Sequence, residues 1–216
     1  RERRSVKTEK IVVLLGDSVI DNGEYVRPGE LDVAQQLQMR LPDHTVVKRA
    51  VDGATCADVL RWQTDDLRDA DSIVLSAGGN DALQHLDLLD VSVATTPKDV
   101  LVRLWSIREE FRRGYVALLD SLALTRRPVL SLTVYNPCFD GHGFDAAYQQ
   151  AAESGLSIIN DVIQQEARRR AFDILELRTL FDDRADYANP IEPSAIGGAK
   201  LAKCVSDWVG SAARRD

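Results

Sequence analysis

"KIVVLLGDS", residues 10–18, is the stretch that decides the fold. An unbroken apolar run, rich in β-branched residues, stops at Gly16-Asp17-Ser18. A run without polar alternation is buried on both faces, the signature of a strand in a parallel sheet covered by helices. A serine that follows such a strand stands at its carboxyl end, where open α/β sheets collect their ligand sites.

Outward from that strand, helical and extended patterns alternate. "ELDVAQQLQMRL" (30–41) carries apolar residues at helical spacing and stops at Pro42. "TVVKRAV" (45–51) reads as a second strand, and "TCADVLRWQTDDLRD" (55–69) as an amphipathic helix opened by a Thr cap. "SIVLSAGG" (72–79) is a third strand. From Pro97 to Leu124 a long helix shows one apolar stripe, Val100, Leu101, Leu104, Ile107, Phe111, Tyr115, Leu118, Leu119 and Leu122, with Trp105 beside it assigned to the core. "RPVLSLTVYNP" (127–137) and "FDILELR" (172–178) supply two further strands around a helix over 145–171, and 194–213 closes the chain as a helix.

Five strands alternating with helices predict an α/β protein with one parallel sheet between two helical layers. The expected organisation is a charged tail over 1–10 and a single domain over 11–213. At 216 residues the chain is long enough for one substantial core. Asp and Glu number 34 against 27 Lys and Arg, a net charge of −7 that argues against nucleic acid, whose phosphates need a basic partner. The basic runs at 167–171 and 214–215 read as solvated helix ends. Cys56, Cys138 and Cys204 are too scattered for a metal motif or disulfide framework and are expected as reduced thiols. No apolar run approaches the ~18 residues of a membrane span, and the charged start lacks the apolar core of a signal peptide. The expected setting is therefore cytoplasmic, with no membrane partner, no metal and no cofactor; oligomeric state is not readable.

The chemistry is expected at the carboxyl ends of the strands. Ser18 sits where the amides of the following turn point toward it, a geometry that suits a nucleophile beside an oxyanion. "RAVDGAT" (49–55) offers Gly53, whose bare backbone can approach a ligand, and "GGND" (78–81) offers the Asn80 amide. Each word is common alone. In this order, each after its own strand, they are specific.

At these residues the chain resembles the SGNH (GDSL) hydrolase family over nearly its whole length. The resemblance implies a flavodoxin-like, three-layer α/β/α sandwich with a five-stranded parallel sheet. It makes Ser18 the nucleophile, and it makes the Ser18 N–H, the Gly53 N–H and the Asn80 side chain the oxyanion hole. The family's last block is Asp-x-x-His, then Pro and a later Gly. Here that register reads Asn189-Pro190-Ile191-Glu192, then Pro193, Ser194 and Gly197. Asn189 stands at the Asp position and Glu192 at the His position, in a loop framed by prolines.

Charge counting permits the exchange. Asp⁻ with neutral His totals −1, as does Asn with Glu⁻; after one proton transfer both pairs total zero. Asn189 is expected to donate its amide to Glu192 and orient it as the Asp orients the His. The drawback is basicity, since an ordinary Glu titrates near ~4.3, about two units below His. Burial would raise it into a useful range.

The expected activity is hydrolysis of small acyl esters through an acyl-Ser18 intermediate, O-acetyl groups on a sugar being one such substrate, because no large apolar lid is evident. The alternative is a catalytically weak or inactive member that keeps the crevice to bind a ligand. Asp17, Asp81 and His142 are candidates for substrate contact. His85 follows the Asn80 loop and could border the site, whereas His44 belongs on the far side. Asp21 is expected to cap the turn or the first helix. Asp182, Asp183 and Asp186 read as solvated loop charge rather than a metal site.

Overall fold

In the computed structural model the described residues are 10–90 and 96–212; the charged start at 1–9 and Arg214-Arg215 fall outside them. The strands are β1 (Lys10–Leu15), β2 (His44–Lys48), β3 (Ser72–Ser76), β4 (Val129–Leu132) and β5 (Asp173–Leu175). All neighbours pair in parallel, in the order β2-β1-β3-β4-β5. That is the flavodoxin-like arrangement predicted, with the order reversing beside β1 and a ligand crevice at that point.

The period-two geometry of the strands divides the core. Val13, Leu15, Ile73, Leu75 and Val129 face one helical layer: α2 (Cys56–Trp62), α4 (Pro97–Ala123) and α5 (Ala146–Arg169). Val12, Leu14, Val74, Leu130 and Leu132 face the other, α1 (Val33–Arg40) and α6 (Ala195–Ala212). Among the described residues no helix is long and apolar enough to cross a membrane.

The elements are shorter than their sequence patterns suggest, for local reasons. The second strand stops at Lys48 because the Arg49 and Ala50 amides both turn to the Leu14 carbonyl. The third stops at Ser76, where Gly78 takes φ +123° and starts a short helix not anticipated from sequence, α3 (Gly79–Leu83). The helix expected to reach residue 69 ends at Trp62, after opening with a Thr55 capping box. Asp32, rather than Asp21, caps α1. Asp21 instead accepts from the Lys48 ammonium at 2.5 Å and from the Asp52 amide at 3.1 Å.

Long helix α4 departs most from its pattern. Its 27 residues span ~40 Å at ~1.5 Å each, about twice the length of any strand beneath it. Phe111, Tyr115, Leu118, Leu119 and Leu122 are buried on the sheet. The earlier half of the stripe overhangs the sheet's carboxyl edge, with Leu101 exposed. Trp105 is not core either: it is 60% exposed, with the Arg108 guanidinium 5.4 Å from the ring centroid.

One glycine fixes the junction between β1 and the site. Gly16 has φ +136°, and a Cβ there would lie 2.0 Å from the Ser76 carbonyl oxygen. Gln63, buried, clamps the same residue by accepting from its N–H at 2.7 Å and donating to its carbonyl at 2.9 Å. Gly16→Ala combines a disfavoured backbone angle with backbone overlap and should destabilise by about 3 kcal/mol or more. A urea-unfolding midpoint equal to that of wild type would contradict this.

Candidate active site

Ser18 follows β1 by three residues and is 8% exposed at the floor of a cleft. Behind it the Asp17 carbonyl accepts from the amides of Ile20 and Asp21, a tight turn that presents Ser18 at the sheet edge. Asp17 itself points inward. Its Oδ1 accepts from Ser76 Oγ at 2.7 Å and from the Val19 amide at 3.2 Å. Burial pushes its carboxyl up to about 7, although both hydrogen bonds pull the other way.

Hydrogen bonds between loops set Asn80 near Gly53, although Gly53 does not line the cleft that holds Ser18 and Asn80. The Val51 amide donates to the Gly16 carbonyl at 3.0 Å, tying the loop after β2 to the end of β1. Gly53 in that loop is exposed, at φ +80°. Asn80, in the first turn of α3, donates from Nδ2 to the Ala54 carbonyl at 3.1 Å, which sets its amide beside Gly53. Among the described residues the Ser18 and Gly53 amides donate to no protein acceptor, so both are free for a ligand oxygen.

Glu192 occupies the loop between Tyr187 and α6, a segment held at each carbonyl from Pro190 to Pro193 and at the amides of Ile191 and Glu192. The Pro190 carbonyl accepts from the Cys138 amide (2.8 Å), Ile191 from the Tyr135 hydroxyl (2.6 Å), Glu192 from the Ala188 amide (2.8 Å) and Pro193 from Asn22 Nδ2 (3.2 Å). Asn189 Oδ1 accepts from the amides of both Ile191 and Glu192 at 3.0 Å. The two prolines have no N–H to satisfy. Tyr135 stacks on Phe181 at 4.4 Å between ring centroids, giving the loop an aromatic backing.

Against this saturated backbone, the Glu192 side chain is under-satisfied. It is 8% exposed, and its Oε2 is buried with no hydrogen-bond partner. Burial pushes its carboxyl up to about 7; the neighbouring Ser18 hydroxyl moderates the rise, and the charges of Asp52 and Asp17 add to it. Buried polar atoms are satisfied almost everywhere in proteins, so an exception calls for an explanation.

Of the residues expected at the site, Asp17, Ser18, Asn80 and Glu192 line one cleft. Asn189 behaves differently from the expectation. Its side-chain oxygen forms an Asx turn with the backbone, so it shapes the loop that carries Glu192 and leaves Oε2 unpaired. Asp81 also turns away, accepting from the Cys56 amide at 3.0 Å. His142 is exposed on a loop pinned by Arg184, which donates to the Asp140 carbonyl at 2.9 Å, and it does not line the cleft. His85 does line it, while His44 opens β2 at the opposite, amino-terminal edge of the sheet. Asp186 is fully buried rather than solvated: it accepts from the amides of Asp182 and Asp183 and from Lys200, organising the loop before the site. Among the described residues no acidic, Cys or His group has the arrangement to hold a metal.

Three residues are central to this geometry; Gln63 and Asn22 gave no sequence signal, and Tyr135, which lines the cleft, was readable only as either pocket lining or packing. Gln63 clamps Gly16. Asn22 bridges the Pro193 carbonyl and the Val33 amide, joining the Glu192 loop to α1. Tyr135 supports Ile191. Each is a polar group buried by tertiary contacts that one sequence does not reveal.

The cleft has a volume of about 150 Å³ and is overwhelmingly apolar beyond the polar end formed by Asp17, Ser18, Asn80 and Glu192.

Similar folds are found among solved structures. The acetyl xylan esterase AlAXEase is 19% identical, with a TM-score of 0.65 over 93% of this chain and 98% of that one. The lipase Lip_vut3 from a goat rumen metagenome is 18% identical, with a TM-score of 0.70 over 92% and 96%. Phospholipase A1 from Streptomyces albidoflavus NA297 is 18% identical, with a TM-score of 0.62 over 92% and 100%. At these identities the likeness is one of fold. No curated protein sequence matches the chain. A family model does match, from residue 14 within β1 to residue 198 just past the Glu192 loop. On that match the chain belongs to the GDSL-like lipase/acylhydrolase family.

Proposed function

We propose that this chain is a serine acyl hydrolase in which Ser18 is the nucleophile and Glu192 the general base. The observation that carries this reading is the contrast in the 189–193 loop. From Pro190 to Pro193 every backbone amide and carbonyl is hydrogen-bonded, yet the loop holds one carboxylate with an unpaired buried oxygen beside Ser18.

In the acylation step, Ser18 Oγ attacks the ester carbonyl carbon while its proton passes to the Glu192 carboxylate. The negative charge that develops on the carbonyl oxygen is met by the Ser18 and Gly53 amides and the second N–H of Asn80. When the tetrahedral adduct collapses, the carbon–oxygen bond to the alcohol breaks, and Glu192 returns the proton to the leaving oxygen. Water then takes the place of the alcohol, with Glu192 again accepting and returning one proton. Asn189 acts on this sequence through the backbone, as a positioning residue. No cofactor takes part.

Glu192 is useful here because burial brings it to about 7. A base whose pKa lies near the working pH combines availability with driving force. The same negative charge faces the developing oxyanion, so turnover with simple esters is expected to be slower than with a His base. A small acyl group, such as an O-acetyl on a sugar, fits at Ser18 but leaves the apolar cleft unfilled.

The test is covalent labelling with a fluorophosphonate, mapped by mass spectrometry. The expected result is a single adduct on Ser18, formed in the native enzyme and lost on unfolding. Absence of labelling, together with no hydrolysis of any aryl ester, would favour the ligand-binding alternative.

A further inference from the structure

We infer that the flank of the site beyond Glu192, built by Tyr25 and Asp52, binds a cation, so that the alcohol part of the preferred ester carries an ammonium group. The inference deepens the hydrolase reading and rests on it for its kinetic part.

Three tethers assemble this flank. Asn22 Nδ2 donates to the Pro193 carbonyl at 3.2 Å, and the turn Gly23–Tyr25 starts directly after Asn22, which brings Tyr25 to the Glu192 loop. The loop after β2 is tied to the end of β1 through the Val51 amide and the Gly16 carbonyl, and to the Ser18 turn through the Asp52 amide and Asp21. Tyr25 then donates its hydroxyl to Asp52 Oδ2 at 2.7 Å, closing one loop on the other. Neither Tyr25 nor Asp52 lines the apolar cleft, whose walls come from the connections after β3 and β4. The hydrogen bond to Asp52, then burial and the charge of Glu192, push the Tyr25 phenol up, and the Asp52 charge adds to burial in raising Glu192. The three groups therefore share one electrostatic neighbourhood.

That neighbourhood holds negative charge without a matching cation. Lys48 is a single ammonium shared by Asp21 at 2.5 Å and Asp32 at 3.2 Å. Among the described residues Asp52 pairs with no Lys or Arg; its carboxylate accepts from the Tyr25 hydroxyl. Glu192 adds a second, independent sign: it is 8% exposed, and its buried Oε2 has no hydrogen-bond partner. Carboxylates beside an aromatic face are the chemistry that holds an ammonium group. Tyr25 is half-buried and Asp52 exposed, so a cation reaches them from solvent.

The reaction decides which part of the ester arrives here. Glu192 returns its proton to the leaving oxygen, so the alcohol extends from Ser18 past Glu192, toward Tyr25 and Asp52. A cation there offsets the negative charge that passes from Glu192 to the developing oxyanion.

Two measurements decide the matter. The first is kcat/KM for acetylcholine against 3,3-dimethylbutyl acetate, which has the same shape with carbon in place of the charged nitrogen. The ratio is taken in wild type and in Asp52→Asn, and dividing one by the other removes the intrinsic reactivity of the two esters. That quotient should be about tenfold, the worth of one ammonium–carboxylate contact near a protein surface, and should shrink to about twofold in about 0.5 M NaCl. Asn keeps an oxygen for the Tyr25 hydroxyl, so the loop contact survives. Tyr25→Leu should lower the same ratio by about fivefold. A quotient near one for Asp52→Asn, or one that salt does not change, overturns the cation site.

The second measurement separates the site from the chemistry. Calorimetric titration of Ser18→Ala with choline should show binding that is about tenfold weaker in Ser18→Ala/Asp52→Asn, and weaker again for uncharged 3,3-dimethyl-1-butanol. No preference for choline over that alcohol in Ser18→Ala overturns the cation site whatever the activity. Preferential choline binding in a protein that hydrolyses no ester supports the cation site and overturns the hydrolase reading.

Discussion

Replacing Glu192 with Gln should slow acylation of Ser18 by about 10²–10⁴-fold at pH 8, the usual worth of a general base. The amide keeps the shape of the side chain but cannot take the serine proton. The surrounding loop should not move, because its hydrogen bonds run through the backbone carbonyls of 190–193 and through Asn189 Oδ1. A stability change should accompany the loss and rule out misfolding as its cause. Burial raises the folded-state pKa of Glu192 from 4.5 to about 7. Between those values the folded protein holds a proton that the unfolded chain has released. This group's stabilising contribution is complete below the unfolded value and is lost as pH rises through 7. Gln has no such titration, so the melting temperature of Glu192→Gln relative to wild type should climb from pH 5 to pH 8. An inactive variant whose relative melting temperature is constant across that range would show that Glu192 is not held as described.

Ser18→Ala should have the larger kinetic effect. Removing the nucleophile forfeits the covalent route, leaving only what the oxyanion donors and the cleft provide for direct attack by water. In serine hydrolases such removal costs ~10⁶ in kcat; with a carboxylate base and a slower starting rate, a loss of about 10⁴-fold or more is expected here. The Ser18 side chain is small and its amide is unaffected by the change, so the oxyanion site survives. Because the two residues act as one unit, Ser18→Ala/Glu192→Gln should be no slower than Ser18→Ala alone. Multiplicative losses would mean that the two act on different steps or different substrates.

The sheet was legible from residues because burial on both faces leaves a run such as Ile11–Leu15 with no polar alternation, whatever the rest of the chain does. Strand ends were not legible in the same way. Arg49 and Ala50 look extended in sequence, and only the shared turn to the Leu14 carbonyl ends β2. Glu192 could be placed because two prolines and a following helix fix its register. The role of Asn189 could not, since its side chain carries both a donor and an acceptor and the sequence does not say which end is used; the acceptor won, on the backbone. The apolar stripe of α4 misled for a related reason. A stripe at helical spacing shows which face is apolar, but the length of the sheet beneath decides where core gives way to cleft. Trp105, Leu104 and Ile107 fall on the far side of that limit.

The charge of Asp17 adds to the burial that brings Glu192 to about 7. The pH dependence of fluorophosphonate labelling at Ser18, followed by mass spectrometry in wild type and Glu192→Gln, tests the central claim most directly. The account requires the wild-type rate to rise with pH to a plateau with a midpoint near 7, and that step to vanish in Glu192→Gln. A wild-type rate that is level between pH 5 and 9, or the same step surviving in Glu192→Gln, would show that another group takes the proton.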